Sequence, residues 1–281
     1  MVEIARLTTE EAAARFARAK IALIPIGAIE QHGPHLELRT DIAVATEMAR
    51  RVDAALAADS LLCPPMPYGA SEHHLAFSGT LSLRPESLRL VLRDICLSLI
   101  RHGIDRVLIV NGHGGNCDIA RLVAREVGDE TGRRIAHVMW DTVLREKTAT
   151  RLRAGEQYHH ACEVETSLAF ECDAELVRVD RLTASGPRSA LNGFTDPPGA
   201  RFDFPRPFEE LSADGALGDP SRSDPAWGAE LVESFVEQTV AFARWFQELP
   251  PRSPNAGPAG LRAHPSSSTP NPETTVRSSA R

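Results

Sequence analysis

Three side chains of the kinds that ligate metal ions follow the first apolar run of the 281-residue sequence. Glu30 and His32 stand one residue apart just after residues 21–27, and Asp41 closes the same stretch, "IGAIEQHGPHLELRTD". Alternate side chains of an extended backbone point to the same face, so Glu30 and His32 can approach one ion. Asp41 lies where a helix can begin. The alternative interpretation is an exposed loop followed by an ordinary helix N-terminus.

A further candidate ligand, His113, follows the apolar run at residues 106–112 within "VLIVNGHGGN". Glycines on both sides allow the backbone to approach a metal ion or a substrate closely. The glycines could instead form a phosphate-binding turn, but the stretch lacks the lysine and spacing of a P-loop and the glycine spacing of a dinucleotide-binding motif. The pattern therefore favours a ligating histidine.

A histidine and a carboxylate also stand near the start of a predicted helix, in "HHACEVETS". His160 and Glu165 are five residues apart, which is not the i, i+4 spacing of one helical face, unless the helix begins after His160. Glu163 lies on a different helical face from Glu165. A helix start with acidic residues in its first turn is the alternative interpretation of this stretch.

The stretch "YGASEHHLAFSGTLSL", residues 68–83, is another glycine-rich segment after an apolar run. Its four consecutive polar residues are candidates for substrate contact, and each could equally be a surface residue: Ser71, Glu72, His73 and His74.

Four apolar runs alternate with segments of helical periodicity. The predicted strands are 21–27, 60–69, 106–112 and 134–140, and the predicted helices between them are 41–58, 84–102 and 117–131. This alternation indicates a parallel sheet covered by helices on both faces, in which ligand sites lie at the carboxyl ends of the strands. The candidate residues follow those ends.

The pattern becomes less regular after residue 140. A helix is predicted over 161–172, whereas residues 184–220 are rich in Gly, Pro, Asp and Ser. An apolar stripe then predicts a closing amphipathic helix that contributes to the core or to an oligomer contact: Trp227, Leu231, Phe235, Val236, Val240, Phe242 and Phe246. Residues 250–281 are rich in Pro and Ser, so we expect one domain over 1–249 and a disordered tail over 250–281.

Composition limits the partners of the protein. The formal net charge is −7 and the acidic residues are spread along the chain, which argues against nucleic acid or an anionic membrane as a partner. No run approaches the roughly 20 apolar residues that cross a bilayer, and the N-terminus lacks a secretory signal. The five cysteines form no CxxC pair and fit reduced thiols. The expected location is the cytoplasm.

Taken in order, "PIGAIEQHGPHL…TD", "YGASEHHLAFSGTLSL", "NGHGGN" and "HACEVETS" resemble the creatininase family of metal-dependent amidohydrolases, over about residues 4–248. The resemblance implies a three-layer α/β/α sandwich with a mostly parallel sheet and two divalent ions. It places Glu30 and His113 on one ion, His32 on the other, and Asp41 between them as a bridge. Histidine and carboxylate ligands suit zinc, manganese or iron.

The sequence departs from creatininase itself at Gly115, where that enzyme has a metal-binding glutamate two residues after the ligand histidine. The nearest replacement is Glu165, which is assigned to the second ion. His160 resembles the histidine near the substrate that is suited to protonating the leaving nitrogen. His160 and Glu165 are therefore the predicted catalytic residues.

Trp140 resembles one of two tryptophans that creatininase stacks against its flat cyclic substrate, and core packing is the alternative role for it. The second tryptophan has no equivalent, although Tyr158 could partly substitute. We therefore expect Ser71, Glu72, His73, Trp140 and Tyr158 to contact substrate.

The resemblance implies hydrolysis of a C–N amide bond in a small molecule, linear or cyclic. The alternatives are a formamide deformylase or a peptidase of the same family that acts on a biosynthetic precursor, and a metal-binding protein without catalysis. The family also implies a homo-oligomer, in the form of a hexamer. Residues 184–220 are expected to act as a lid over the site.

Overall fold

Four parallel strands form the sheet at the centre of the fold. The computed structural model describes residues 3–151, 160–183, 205–250 and 252. Within that part of the chain the strand order is β2-β1-β3-β4. The strands are β1 (Ile21–Ile26), β2 (Ser60–Leu62), β3 (Arg106–Asn111) and β4 (Arg134–Met139). Ile26 pairs with Asn111, and Asn111 pairs with Met139, so three strands end at the same level.

Strand β2 is shorter than the predicted strand over 60–69. Pro64 and Pro65 follow it directly, and a proline has no backbone N–H to donate to a neighbouring strand. The ladder therefore stops at Leu62, and the chain rejoins β1 only at an isolated bridge between Ile26 and Met66.

Helices cover both faces of the sheet, which confirms the predicted α/β sandwich. They are α1 (Thr9–Phe16), α2 (Thr40–Leu56), α3 (Pro85–Arg101), α4 (Cys117–Thr131), α5 (Trp140–Ala149), α6 (Glu163–Cys172) and α7 (Pro225–Glu248). Successive residues of β1 point to opposite faces. Leu23 packs in a cluster with residues of α2, α5, α6 and α7, whereas Ile24 packs with residues of α3 and α4.

Two helices were not among the predicted elements. Helix α1 begins with a capping box, in which Thr8 accepts a hydrogen bond from the backbone N–H of Glu11 and the Glu11 carboxylate accepts one from Thr8. Helix α5 begins at Trp140, directly where β4 ends. Trp140 is therefore the first residue of a helix, and not the last residue of the predicted strand.

Helix α7 is the predicted closing helix, and most of its apolar stripe is core. Trp227, Leu231 and Phe235 are buried against the sheet-covering cluster. Phe242 is 37% exposed and is not core, so an oligomer contact stays the prediction for it. Among the described residues, the structure has no helix long and apolar enough to cross a membrane. The predictions for residues 184–204 and for almost all of the tail lie outside the described residues.

Candidate active site

The first candidate ligands are brought together by the close approach of helix α2 to the ends of β1 and β3. Asp41 lies in the first turn of α2. A Cβ atom on Gly27, just after β1, would lie 2.4 Å from the backbone nitrogen of Ile42. A Cβ on Gly112, just after β3, would lie 2.2 Å from the carbonyl oxygen of Asp41. Glycine at both positions lets the start of α2 reach the carboxyl ends of the strands.

Asp41 lies between two histidines and presents one carboxylate oxygen to each. His32 Nε2 is 3.0 Å from Asp41 Oδ1, and His113 Nδ1 is 3.1 Å from Asp41 Oδ2. Glu30 adds a second carboxylate, with Oε2 3.2 Å from His113 Nδ1. All four side chains are at most 4% exposed. The exposed-loop interpretation of this stretch is therefore wrong, because tertiary packing buries it.

His160 and Glu165 approach the same cluster from the start of α6. His160 Nδ1 lies 3.9 Å from Glu165 Oε2 and 3.8 Å from Glu30 Oε1. Ala161 has a φ of +48°, in the left-handed region, and its N–H donates to the Glu165 carboxylate. This turn, followed by a helix that begins at Glu163, brings both side chains to one side despite their five-residue spacing.

His35, from the same stretch as Glu30, lies outside the cluster and has a structural role. Its Nε2 is 3.0 Å from Thr166 Oγ1 on α6. The contact ties the stretch after β1 to α6, and so joins the two parts of the chain that carry the cluster.

The electrostatics of the cluster suit a cation. Both carboxylate oxygens of Glu30 and Oδ2 of Asp41 are buried and complete no hydrogen bond among the described residues. Burial opposes ionisation of Glu30, but the neighbouring histidines, His113 foremost, together outweigh burial and hold the pKa of this carboxyl well below its ordinary value. Burial lowers the pKa of His32, whereas the neighbouring carboxylates, Asp41 foremost, together raise it to about 10. The carboxylates therefore favour positive charge at this position.

The donor atoms fit divalent metal ions. Three groups of side chains bring one ligand atom each within 4.8 Å of one another, all from buried residues: Glu30, Asp41 and His113; His32, His160 and Glu165; and Glu30, His74 and His160. Imidazole nitrogen and carboxylate oxygen together suit zinc, manganese or iron. Burial raises the pKa of Glu165 to about 7, a cost that a neighbouring cation would remove.

A cavity of about 340 Å³ opens onto these groups. His73 and Trp140 line it, as predicted for substrate contact, and so does His74. Gly114, Gly115 and Asp141 line it as well. Its apolar wall comes from two parts of the chain: Met139 at the end of β4, and Phe208, Leu211 and Leu217 from residues 205–222.

Two other predicted substrate residues, Ser71 and Glu72, do not line this cavity. Ser71 is buried, with its Oγ 3.2 Å from His113 Nε2, so that it holds the far side of that ring. Glu72 is exposed. Tyr158 lies outside the described residues.

Trp140 is packed in the core and also lines the cavity, and its contact with substrate stays a prediction. It is 3% exposed, and it belongs to the core cluster shared by α2, α5 and α7. Its indole N–H donates to the carbonyl oxygen of Gly112 at 3.4 Å. Only part of the ring faces the cavity, because the rest is committed to packing.

The glycine at position 115 is required by close packing. A Cβ there would lie 2.3 Å from the carbonyl oxygen of Ala70 and 2.5 Å from His113 Nε2. The ring of His73 lies beside the same position and is stacked on His113 with centroids 5.7 Å apart. The backbone therefore leaves no room for a side chain where creatininase carries a glutamate.

Two residues that the sequence did not single out also belong to the site. The ring of Phe208 lies 4.2 Å from that of His74 and 4.9 Å from that of His160. Gln31 contacts both histidines. Its side-chain Nε2 lies 2.8 Å from His74 Nδ1, and its backbone carbonyl oxygen lies 2.7 Å from His160 Nε2. Gln31 stands between two candidate ligands in the sequence, and this was the only sequence signal for it.

Known proteins are similar to this chain in sequence and in fold. A sequence profile of the creatininase family (creatinine amidohydrolase) matches residues 5–243. The mycofactocin precursor peptide peptidase of Mycobacterium ulcerans (strain Agy99) is 34% identical over 233 residues, 79% of this chain and 84% of that protein. The creatinine amidohydrolase of Pseudomonas putida is 28% identical over 268 residues, 89% of this chain and 98% of that protein.

A solved structure of manganese creatininase superposes with a TM-score of 0.72 at 25% identity, covering 88% of this chain and 99% of that chain. The match of fold agrees with the match of sequence, and both span the strand ends that carry the clustered histidines and carboxylates. The protein therefore belongs to the creatininase family of metal-dependent hydrolases.

Proposed function

We propose that the protein hydrolyses a C–N amide bond with the help of two divalent metal ions. The position of Asp41 carries this proposal, since each of its carboxylate oxygens faces a different histidine within a buried cluster. Glu30 and His113 would hold one ion, His32 and Glu165 the other, and Asp41 both. Bound at this position, such ions lower the pKa of water and polarise a carbonyl group.

His160 is the residue proposed to move the proton. Its Nε2 lies 2.7 Å from the carbonyl oxygen of Gln31, which can only accept, so this nitrogen carries the hydrogen. Nδ1 is then unprotonated and faces the cluster. It can take a proton from the attacking water and pass it to the leaving nitrogen, which could not otherwise depart as an anion.

The cavity limits the substrate. A volume of about 340 Å³ accommodates a small amide or one short portion of a longer molecule. Its apolar wall at Phe208, Leu211 and Leu217 excludes water from one side of the scissile bond. We propose a small amide, linear or cyclic, as the substrate, with His73 and Trp140 as contact residues.

A second candidate function is cleavage of a peptide bond in a precursor peptide. Four relatives that are 31–34% identical to this chain are mycofactocin precursor peptide peptidases. The lack of a tryptophan just before His160 removes one half of a platform for a flat ring, and a linear peptide does not need such a platform. A formamide is a third substrate class within the family.

A panel of amides separates these candidates. The full chain, loaded with Mn²⁺ or Zn²⁺, is assayed by mass spectrometry against cyclic amides, formamides and peptides, beside the Trp140→Ala variant. Metal-dependent cleavage of any amide supports the proposed chemistry, and its absence for all classes, in a chain that binds two ions, would favour a metal-binding protein without catalysis. Cyclic-amide activity that survives Trp140→Ala untouched would contradict the proposed contact with Trp140.

The assembly and location are proposed from the family alone. We propose a cytoplasmic homo-oligomer, with six copies as the expected number. Light scattering on the purified full chain tests this, and a monomeric mass would overturn it.

A further inference from the structure

The orientation of the Gln31 side-chain amide is fixed by two backbone groups. Its Oε1 accepts a hydrogen bond from the N–H of Gly33 at 3.0 Å, and its Nε2 donates one to the carbonyl oxygen of Gly215 at 3.1 Å. A backbone N–H can only donate and a carbonyl can only accept. The oxygen and the nitrogen of this amide therefore cannot be exchanged without losing both bonds.

The fixed amide decides which nitrogen of His74 carries the hydrogen. Gln31 Nε2 also lies 2.8 Å from His74 Nδ1. An amide nitrogen has hydrogens to donate and no lone pair to offer, so Nδ1 must be the acceptor. The hydrogen of the neutral ring is then on Nε2, which is the nitrogen 3.7 Å from Glu30 Oε1. At this distance the N–H attracts the carboxylate without a full hydrogen bond.

The backbone carbonyl of Gln31 likewise decides which nitrogen of His160 carries the hydrogen, but the nitrogen that faces Glu30 is a different one. It accepts from His160 Nε2 at 2.7 Å, so both rings carry their hydrogen on Nε2. The rings are oppositely oriented, however. In His160 it is Nδ1, without hydrogen, that lies 3.8 Å from Glu30 Oε1.

Several contacts hold Gln31 and the two rings in place. The backbone N–H of Gln31 donates to Thr80 Oγ1 at 3.1 Å, and the side chain is 5% exposed. Gly215 has a φ of +89°, and a Cβ on it would lie 1.7 Å from Gln31 Oε1. Phe208 covers both imidazoles from the cavity side.

We propose that Gln31 is a positioning residue that fixes the Nε2–H tautomer in both His74 and His160. Of the two, only His160 then offers an unprotonated nitrogen to a cation or to a proton, while His74 offers an N–H to Glu30. The group formed by Glu30, His74 and His160 is therefore not a third ion site, although its composition would allow one. This assignment of roles rests on the proposed metal-dependent hydrolysis.

The tautomers can be read directly from nitrogen chemical shifts. The full chain is labelled with ¹⁵N-histidine, and long-range ¹H–¹⁵N correlations are recorded with and without Zn²⁺, with the His74 signals identified by their loss in His74→Gln. We expect hydrogen on Nε2 and none on Nδ1 of His74. A hydrogen on Nδ1 of His74 in the unaltered protein would overturn the proposal.

The Gln31→Glu variant replaces the donor by a carboxylate of the same size. We expect hydrogen to appear on Nδ1 of His74 and Zn²⁺ affinity, measured by competition with a chelator, to fall about 10- to 100-fold, as is typical when a partner of a metal ligand is lost. Gln238→Glu, the same substitution on the exposed face of α7, should change neither. An unchanged tautomer in folded Gln31→Glu, or unchanged affinity despite a switched tautomer, would contradict the proposal.

If Gln31→Glu does not fold, the spectrum of the unaltered protein still tests the assignment of the His74 tautomer, because it supports or overturns that assignment by itself. The two proposals also fail separately. A chain that cleaves no amide but shows the expected tautomers loses only the proposed function. A chain that cleaves amides with hydrogen on Nδ1 of His74 loses only the present inference.

Discussion

Asp41 Oδ2 lies 3.1 Å from Nδ1 of His113, and the other oxygen of the same carboxylate lies 3.0 Å from His32 Nε2. One side chain in the first turn of α2 thus contacts a histidine in each of two groups of ligand atoms. A change at Asp41 must affect both, whereas a change at Glu30 or Glu165 removes a donor from one part of the cluster. This arrangement makes Asp41 the residue with which the metal site can be tested most sharply.

Metal affinity should rise with pH. Burial lowers the pKa of His32, but the neighbouring carboxylates, Asp41 foremost, together raise it to about 10. A histidine must lose its proton to ligate a metal. Between pH 6 and pH 8 each ion that binds at His32 therefore displaces a proton, and its apparent association constant should increase roughly tenfold per pH unit. Calorimetric titration with Mn²⁺ in two buffers of different ionisation enthalpy measures both quantities. Affinity that is flat over this range, with no proton release, would contradict the assignment of His32 as a ligand.

Gly112→Ala should disturb the site through the backbone. The added methyl group would lie 2.2 Å from the carbonyl oxygen of Asp41, so the start of α2 must move. We expect a loss of roughly 1–3 kcal/mol in the free energy of unfolding, as is typical of overpacking, together with weaker Mn²⁺ binding. Denaturant unfolding and metal titration measure the two effects. The matched control is Gly114→Ala, where a Cβ meets nothing within 4 Å; equal effects from both substitutions would show that the close approach at Gly112 is not the cause.

Phe208→Ala should weaken substrate binding more than turnover. The ring forms part of the apolar wall of the cavity and packs against the rings of His74 and His160. We expect KM to rise about tenfold, equivalent to about 1.4 kcal/mol, with a smaller change in kcat. Steady-state kinetics on the amide identified by the panel measure this, with the more exposed Phe242→Ala as the control. A KM that does not change would show that Phe208 does not contact substrate.

Removal of residues 253–281 should leave stability unchanged, whereas removal of residues 250–281 should not. Arg252 Nη2 lies 2.7 Å from Asp129, its N–H donates to the carbonyl oxygen of Gly132, and Arg134 donates to that of Pro250. Loss of these contacts should lower the free energy of unfolding by roughly 1–2 kcal/mol. Thermal unfolding of both truncations against the full chain tests this. Equal stability of the two would show that the contacts contribute nothing, and the predicted domain end at residue 249 would then stand.

Much of the fold followed from local patterns. Buried parallel strands are continuous apolar runs, and helices between them keep a 3.6-residue period, so three of the four strands and five of the helices were recognised near their observed positions. The predicted length of strand β2 is too great, because residues 60–69 are mostly apolar but include prolines that end the strand at Leu62. Helix α1 could have been found from its capping box, Thr8 with Glu11.

The site was less predictable because its parts meet through long-range packing. His160 and Glu165 lie on one side of the helix start because the backbone at Ala161 is left-handed. An alanine in the sequence does not predict that conformation. Among the consecutive residues 71–74, only the tertiary structure decides that His73 and His74 line the cavity while Ser71 lies behind His113. Phe208 comes from an irregular stretch without periodicity.

The central claim is tested most directly by metal analysis of the purified full chain and of Asp41→Asn. Each protein is equilibrated with excess Mn²⁺ or Zn²⁺ and is then freed of unbound metal. The unaltered chain should retain two ions per subunit. Asp41→Asn keeps the size of the side chain but lacks the second anionic oxygen, and it should lose affinity for both ions together. Fewer than two ions in the unaltered chain, or two ions retained by Asp41→Asn, would contradict a two-metal centre joined by Asp41.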